Sequence, residues 1–145
     1  MSYQPKPLPF NNELNGISPK TMEIHHDKLY VGYVNKRNEI EQKLETVSKE
    51  GVNGTYHEYG ELKRSEIFAA NAVVLHEYYF DILGGNGEAQ GGELVEALTK
   101  QFGSLENWVN DMKAAGMTAR GWVVLAYDFN TKKLHNYCCD AHHQG

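Results

Sequence analysis

Apolar side chains at Met22, Leu29, Tyr33, Ile40, Leu44 and Val47 recur mostly at steps of three and four, with a polar gap at Lys36 and Arg37. That spacing places one stripe on a helix. Ser18 is a good N-cap and Pro19 suits the first helical position, so a helix is predicted to open there and run to about residue 49. The following EGVNGTYHEYG has glycines and no helical period, which marks a turn. The run ELKRSEIFAANAVVLHEYYFDIL is apolar around most of its second half, as expected of a helix buried against several neighbours. GGNGEAQGG ends it. Two long helices joined by a short turn predict an antiparallel hairpin, with the Pro- and Asn-rich residues 1–17 as an extended arm laid over it.

Past the glycine-rich linker, GELVEALTKQFG and the Ser104-capped SLENWVNDMKAAGM read as two amphipathic helices. GWVVLAYD and KLHNYCC, separated by FNTKK, then read as a β-hairpin. The predicted class is α+β: an arm and helical hairpin over residues 1–85, then an α/β domain with a small antiparallel sheet over residues 91–145. A lone two-stranded hairpin is marginal in water, so this C-terminal domain is expected to be incomplete at Gly145.

The composition, 41% hydrophobic and 11% aromatic over 145 residues, supplies enough apolar material for a core. A formal charge of −5 with scattered lysines and arginines argues against a nucleic-acid partner. No window offers the run of about 20 apolar residues that spans a bilayer, and MSYQPKPLPF lacks the features of a signal peptide. A cytoplasmic protein with no membrane partner is expected. Cys138 and Cys139 are adjacent, so on a strand they point to opposite faces and are expected to stay reduced.

His76 carries the first chemical signal. Its helical neighbours Ala72, Val73, Tyr79 and Phe80 place the imidazole in an apolar cluster. A buried unpaired ring nitrogen costs about 1 to 3 kcal/mol, so a carbonyl, a carboxylate or a metal from elsewhere in the fold is expected to meet it. On the preceding helix His25 or His26 can join the inward stripe, and imidazoles from two helices converging on one point are how helical bundles hold metals. Spacing leaves the choice between His25 and His26 open. Glu23 and His26 also form a Glu-x-x-His of the carboxylate-bridged di-iron type, but Val73 stands three residues before His76 where a second such motif needs a glutamate. His57 and His135, in a turn and on a strand, are expected to face solvent, and Tyr30 to contribute to a contact between subunits.

LPFNNELNGISPKTMEIHHDKLYVGYV, LHEYYF and FGSLENWVNDMKAAGMTARGWVVLAYD stand in an order and spacing that resembles the iron/manganese superoxide dismutases. The resemblance covers nearly the whole chain. It implies that His25, the first histidine of TMEIHHDK, and His76 are metal ligands, with His26 packed aside. Tyr33 corresponds to the tyrosine that gates the solvent-filled approach, and Trp122 to an aromatic wall. His143, or His142 one place earlier, stands where members carry a residue bonded to the metal-bound solvent. The implied cofactor is one iron or manganese ion per subunit, the substrate superoxide, the activity an antioxidant oxidoreductase's conversion of superoxide to dioxygen and hydrogen peroxide, and the assembly a homodimer or homotetramer.

Departures from the pattern accompany it. Leu29 stands where many members have a histidine, and Phe80 where a tryptophan is usual. The Asp-any-Trp-Glu-His motif that carries the family's remaining two ligands is absent from the 145 residues, and Asp140 with His143 is a poor substitute. The 145-residue chain is therefore expected to hold metal weakly and to show little activity. The competing reading is an incomplete or degenerate relative kept for assembly.

Overall fold

The computed structural model describes residues 2–142, which fall into two compact units divided between Gly85 and Asn86. The class is α+β.

In the first unit, Ser18 caps α1 (Pro19–Glu23) by accepting a hydrogen bond from the Thr21 amide at 3.1 Å. The chain then departs from regular α geometry. Residues Ile24–Tyr30 form a π-helical segment, after which α2 (Val31–Thr46) resumes. A π turn takes one more residue than an α turn, so the inward face is rotated. The buried positions become Met22, His26, Tyr30, Val34 and Ile40. Leu29, expected on the inward stripe, is 51% exposed, whereas Tyr30 is 0% exposed. Tyr30 is therefore a core residue of its own chain and not a subunit contact.

α3 (Glu58–Asp81) returns antiparallel to α2. Its N-cap is His57, whose Nδ1 accepts from the Tyr59 amide at 3.1 Å while Nε2 donates to the Glu50 carbonyl at 3.0 Å. His57 is thus a half-buried structural cap, contrary to the solvent-facing role expected of it. The core of this unit gathers Met22, Tyr30, Val34, Val73 and Phe80, and the arm adds Tyr3, Leu8, Phe10, Leu14 and Ile17 against it. Close packing of the arm leaves room only for glycine at Gly84, where φ is +87° and an added Cβ would lie 2.9 Å from the Cβ of Phe10.

In the second unit, α4 (Glu93–Phe102) ends at Gly103 in the left-handed conformation, and Ser104 caps α5 (Leu105–Thr118) through the Asn107 amide. β1 (Arg120–Asp128) pairs antiparallel with β2 (Lys133–Ala141), with Trp122 opposite Cys139 and Ala126 opposite His135. Among the described residues the sheet has these two strands. Helices cover one of its faces through polar ties: the Gln101 side chain bonds both backbone groups of Leu134, and Trp108 Nε1 donates to Asn136 Oδ1 at 3.1 Å. His135 stacks on Tyr137 with centroids 5.2 Å apart, and its Nε2 is buried without a hydrogen bond among the described residues. Solvent does not reach that nitrogen, which corrects the exposed placement expected of it. Both cysteines are free thiols, and Cys138 donates to the Ala115 carbonyl at 3.3 Å.

Candidate metal centre

The π segment and the second half of α3 bring His25 and His76 together. Their ring centroids lie 5.0 Å apart and the planes cross at 83°. Two imidazoles that each give one nitrogen to a shared ion at about 2.1 Å, with about 100° between the bonds, put their centroids about 5 Å apart. The observed spacing meets that requirement.

Each ring is prepared for ligation in its own way. His76 is 3% exposed, and its Nδ1 lies 2.7 Å from the Ala72 carbonyl, one turn earlier on the same helix. A carbonyl only accepts, so Nδ1 carries the proton, and in a neutral ring with that tautomer the metal-binding nitrogen is Nε2. The sequence pattern pointed to a partner from elsewhere in the fold, but the helix's own backbone provides this one. Burial, with the adjacent His26 adding to it, holds the His25 imidazolium below the ordinary histidine range. A neutral imidazole is the form that binds a metal.

His26 is committed elsewhere. Its Nδ1 faces Asp27 Oδ1 at 2.6 Å and its Nε2 faces the Lys6 carbonyl at 2.9 Å. Both ring nitrogens are directed at these partners, so neither is turned to an ion shared with His76. The same contacts count against the di-iron arrangement, in which Glu23 would be a second ligand. That carboxylate pairs instead with exposed Lys20.

Aromatic rings pack against the pair. Phe80 packs 5.4 Å from His25 and 6.0 Å from His76, Tyr79 lies 5.2 Å from His25, and Tyr33 lies 5.6 Å from His76. Such walls lower the local dielectric and strengthen any charge interaction inside them. Leu29, with Thr21 and Ile24, lines an open hollow of about 340 Å³ beside His25.

The sequence reading missed the polar layer behind the pair. Glu77, next to His76, is 8% exposed yet carries a carboxylate. It accepts from Tyr30 Oη at 2.9 Å and from Tyr3 Oη at 3.0 Å, and it pairs with the Lys6 ammonium. Burial by itself would raise the Glu77 carboxyl, but the donors Lys6, Tyr30 and Tyr3 outweigh it and hold the group below the ordinary carboxylate range. The Tyr30 phenol, desolvated by burial, is pushed up to about 12. The signal was present in LHEYYF: an acid inside an apolar helical face must find buried donors.

The other residues singled out from sequence lie in the second unit. Trp122 Nε1 donates to His142 Nδ1 at 2.9 Å, with ring centroids 6.0 Å apart. His143 lies outside the described residues. Among the described residues no group of three or more His, Cys, Asp or Glu side chains is arranged around a common point. The donor set in view is therefore two imidazoles.

Residues 2–84 match the alpha-hairpin domain of the iron/manganese superoxide dismutases, and residues 90–145 match the C-terminal domain of the same family. The chain is 38% identical to a superoxide dismutase [Fe] of Aquifex aeolicus over 143 residues, 96% of this chain and 67% of the relative. It is 39% identical to a superoxide dismutase [Fe] of Aquifex pyrophilus over 133 residues, 89% of this chain and 62% of the relative. A superoxide dismutase [Mn] 2 of Haloferax volcanii is 31% identical over 148 residues, covering 100% of this chain and 73% of the relative. The chain thus spans about two thirds of the length of these relatives.

Proposed function

Because the chain belongs to the iron/manganese superoxide dismutase family, we infer that His25 and His76 hold one iron or manganese ion and that the activity served is the dismutation of superoxide. The observation that carries this reading is the pair of imidazoles 5.0 Å apart, one of them oriented by the Ala72 carbonyl. Imidazole nitrogens suit iron, and a mixed set in which oxygen donors join them suits manganese as well. When bound, the ion supplies the one-electron exchange by which one superoxide leaves as dioxygen and the next, taking up protons, leaves as hydrogen peroxide.

The chain's own residues prepare the site for that chemistry. The Ala72 carbonyl orients the His76 ring, as second-layer carbonyls commonly do for ligating histidines. Phe80 and Tyr79 pack against the His25 ring and give it an apolar wall. Tyr33, half-buried beside His76, is suited to pass a proton along the approach. Trp122 and His142 hydrogen-bond to each other within the second unit; for Trp122 the family resemblance implies an aromatic wall, and for His143, or His142 in its place, a bond to metal-bound solvent. Superoxide is small and anionic, and the net charge of −5 leaves local features to draw it in.

No helix among the described residues is long and apolar enough to cross a membrane. Free adjacent cysteines support a reducing, cytoplasmic setting, which cell fractionation would contradict by placing the protein elsewhere. Ile67, Val74 and Tyr78, exposed on α3 at helical spacing, support a homodimer or homotetramer; a monomer by sedimentation would count against that assembly.

Two imidazoles hold an ion loosely, so the 145-residue polypeptide is expected to lose iron or manganese to a chelator and to consume superoxide slowly. Fusing to it the C-terminal third of the Aquifex aeolicus relative is expected to give a dismutase whose rate falls at least about 100-fold with His76→Ala or His25→Ala. A fusion indifferent to both substitutions would refute the assignment, and tight stoichiometric metal with high activity in the 145-residue protein would refute the weak binding expected of it.

A further inference from the structure

We propose that Lys6, in the extended N-terminal arm, is a positioning residue that ties together the two helical segments bearing His25 and His76. The tie is made through the residue that directly follows each histidine. On one side the Lys6 carbonyl accepts from Nε2 of His26 at 2.9 Å. On the other side the Lys6 ammonium pairs with the buried carboxylate of Glu77. A third strand of the same tie runs between them, because the Lys6 amide donates to Tyr30 Oη at 2.9 Å and Tyr30 Oη donates to Glu77 at 2.9 Å. One arm residue thus uses its amide, its carbonyl and its side chain on three groups that flank the imidazole pair.

The placement explains two features left over from the site. The His26 ring is spent on Asp27 and on the Lys6 carbonyl of the arm. Glu77 is an acid in an apolar helix face, where an unpaired charge is costly, and it receives its only cationic partner among the described residues from Lys6. The π segment makes the arrangement possible, since the register it sets turns both His26 and Tyr30 inward while His25 faces His76. Without the tie, the segment Ile24–Tyr30 is held to α3 by ring packing, which tolerates sliding better than directed hydrogen bonds do. Tyr3 reinforces the anchor, exchanging two hydrogen bonds with Asn38 while its ring lies under the Arg37 guanidinium at 4.5 Å.

This role rests on the reading of His25 and His76 as a metal pair, and the test separates the two. Cobalt(II) is titrated into the metal-free 145-residue protein, its visible d–d bands reporting imidazole ligation, and contacts between the labelled His25 and His76 rings are followed by NMR before any metal is added. Lys6→Ala is expected to weaken cobalt binding about tenfold, the scale of losing a second-layer support, to shift the d–d bands and to weaken the ring-to-ring NMR contact. Lys6→Arg, which keeps a cation within reach of Glu77, is expected to restore most of all three. The urea midpoint is expected to fall in Lys6→Ala, since a buried carboxylate loses its cation, so cobalt binding is compared under conditions where circular dichroism shows every variant fully folded. Cobalt affinity and bands unchanged in Lys6→Ala, or a loss that Lys6→Arg fails to recover, would overturn the positioning role while leaving the metal pair standing. Cobalt binding that survives both His25→Ala and His76→Ala would remove the metal pair, and the role of Lys6 with it.

Discussion

Single side chains decide whether a local structure is held by chemistry or only by packing, and several were readable from sequence. Ser18, Ser104 and Pro19 announced helix starts because their capping chemistry is local. His76 was legible for the same reason, its apolar neighbours being three and four residues away. Glu77 was not followed to its partners, because they come from Lys6 and Tyr3, 71 and 74 residues distant in the chain. Asp128 illustrates a local carboxylate whose behaviour can be stated with its sign. The Asn130 amide at 2.7 Å, followed by the Thr131 hydroxyl at 2.8 Å, holds its carboxyl below the ordinary aspartate value. A depressed folded-state pKa contributes stability above the unfolded value near 3.8 that is lost as pH falls through the folded one. Amide exchange at Asn130 and Thr131 is therefore expected to quicken as pH drops below that value, and in Asp128→Asn to be fast at neutral pH and much less pH-dependent once intrinsic exchange rates are corrected. A turn equally protected in both proteins at every pH would contradict this.

At the scale of elements, the number and order of helices and strands followed from periodicity and turn residues, whereas the π segment did not. A regular α-helix from Ser18 places Leu29 and Tyr33 on one stripe. The seven residues Ile24–Tyr30 instead add a wider turn, and Tyr30 and Val34 take the buried positions. Nothing in the spacing of apolar residues distinguishes the two registers locally, since IHHDKLY offers an apolar residue at either place. The register is settled by tertiary partners: the Lys6 carbonyl for His26 and the Glu77 carboxylate for Tyr30. Side-chain truncation reads the register directly. Tyr30→Ala is expected to cost about 3 to 5 kcal/mol in urea unfolding, as removal of a fully buried aromatic ring does, and Leu29→Ala to stay within about 0.5 kcal/mol. The reverse order of costs would mean that the helix is regular and Leu29 points inward.

For the molecule as a whole, the sequence spoke through family resemblance more than through physics. Periodicity and composition led to an α+β chain and two histidine-bearing helices, and left His25 and His26 undivided. What divides them is the arm, an irregular segment with no period of its own, whose Lys6 carbonyl commits His26 and leaves His25 to face His76. Matches over residues 2–84 and 90–145 identify the family, and the π segment, the arm and the buried Glu77 surround the His25–His76 pair with this chain's own residues. The central claim is that His25 and His76 share one ion. It is tested most directly by pulsed electron paramagnetic resonance on the 145-residue protein with added manganese(II), which detects histidine nitrogens bonded to the metal. The expected result is coupling to two imidazole nitrogens in the wild type and to one in each of His25→Ala and His76→Ala; a wild-type spectrum with no directly bonded nitrogen, or one that neither substitution alters, would contradict it.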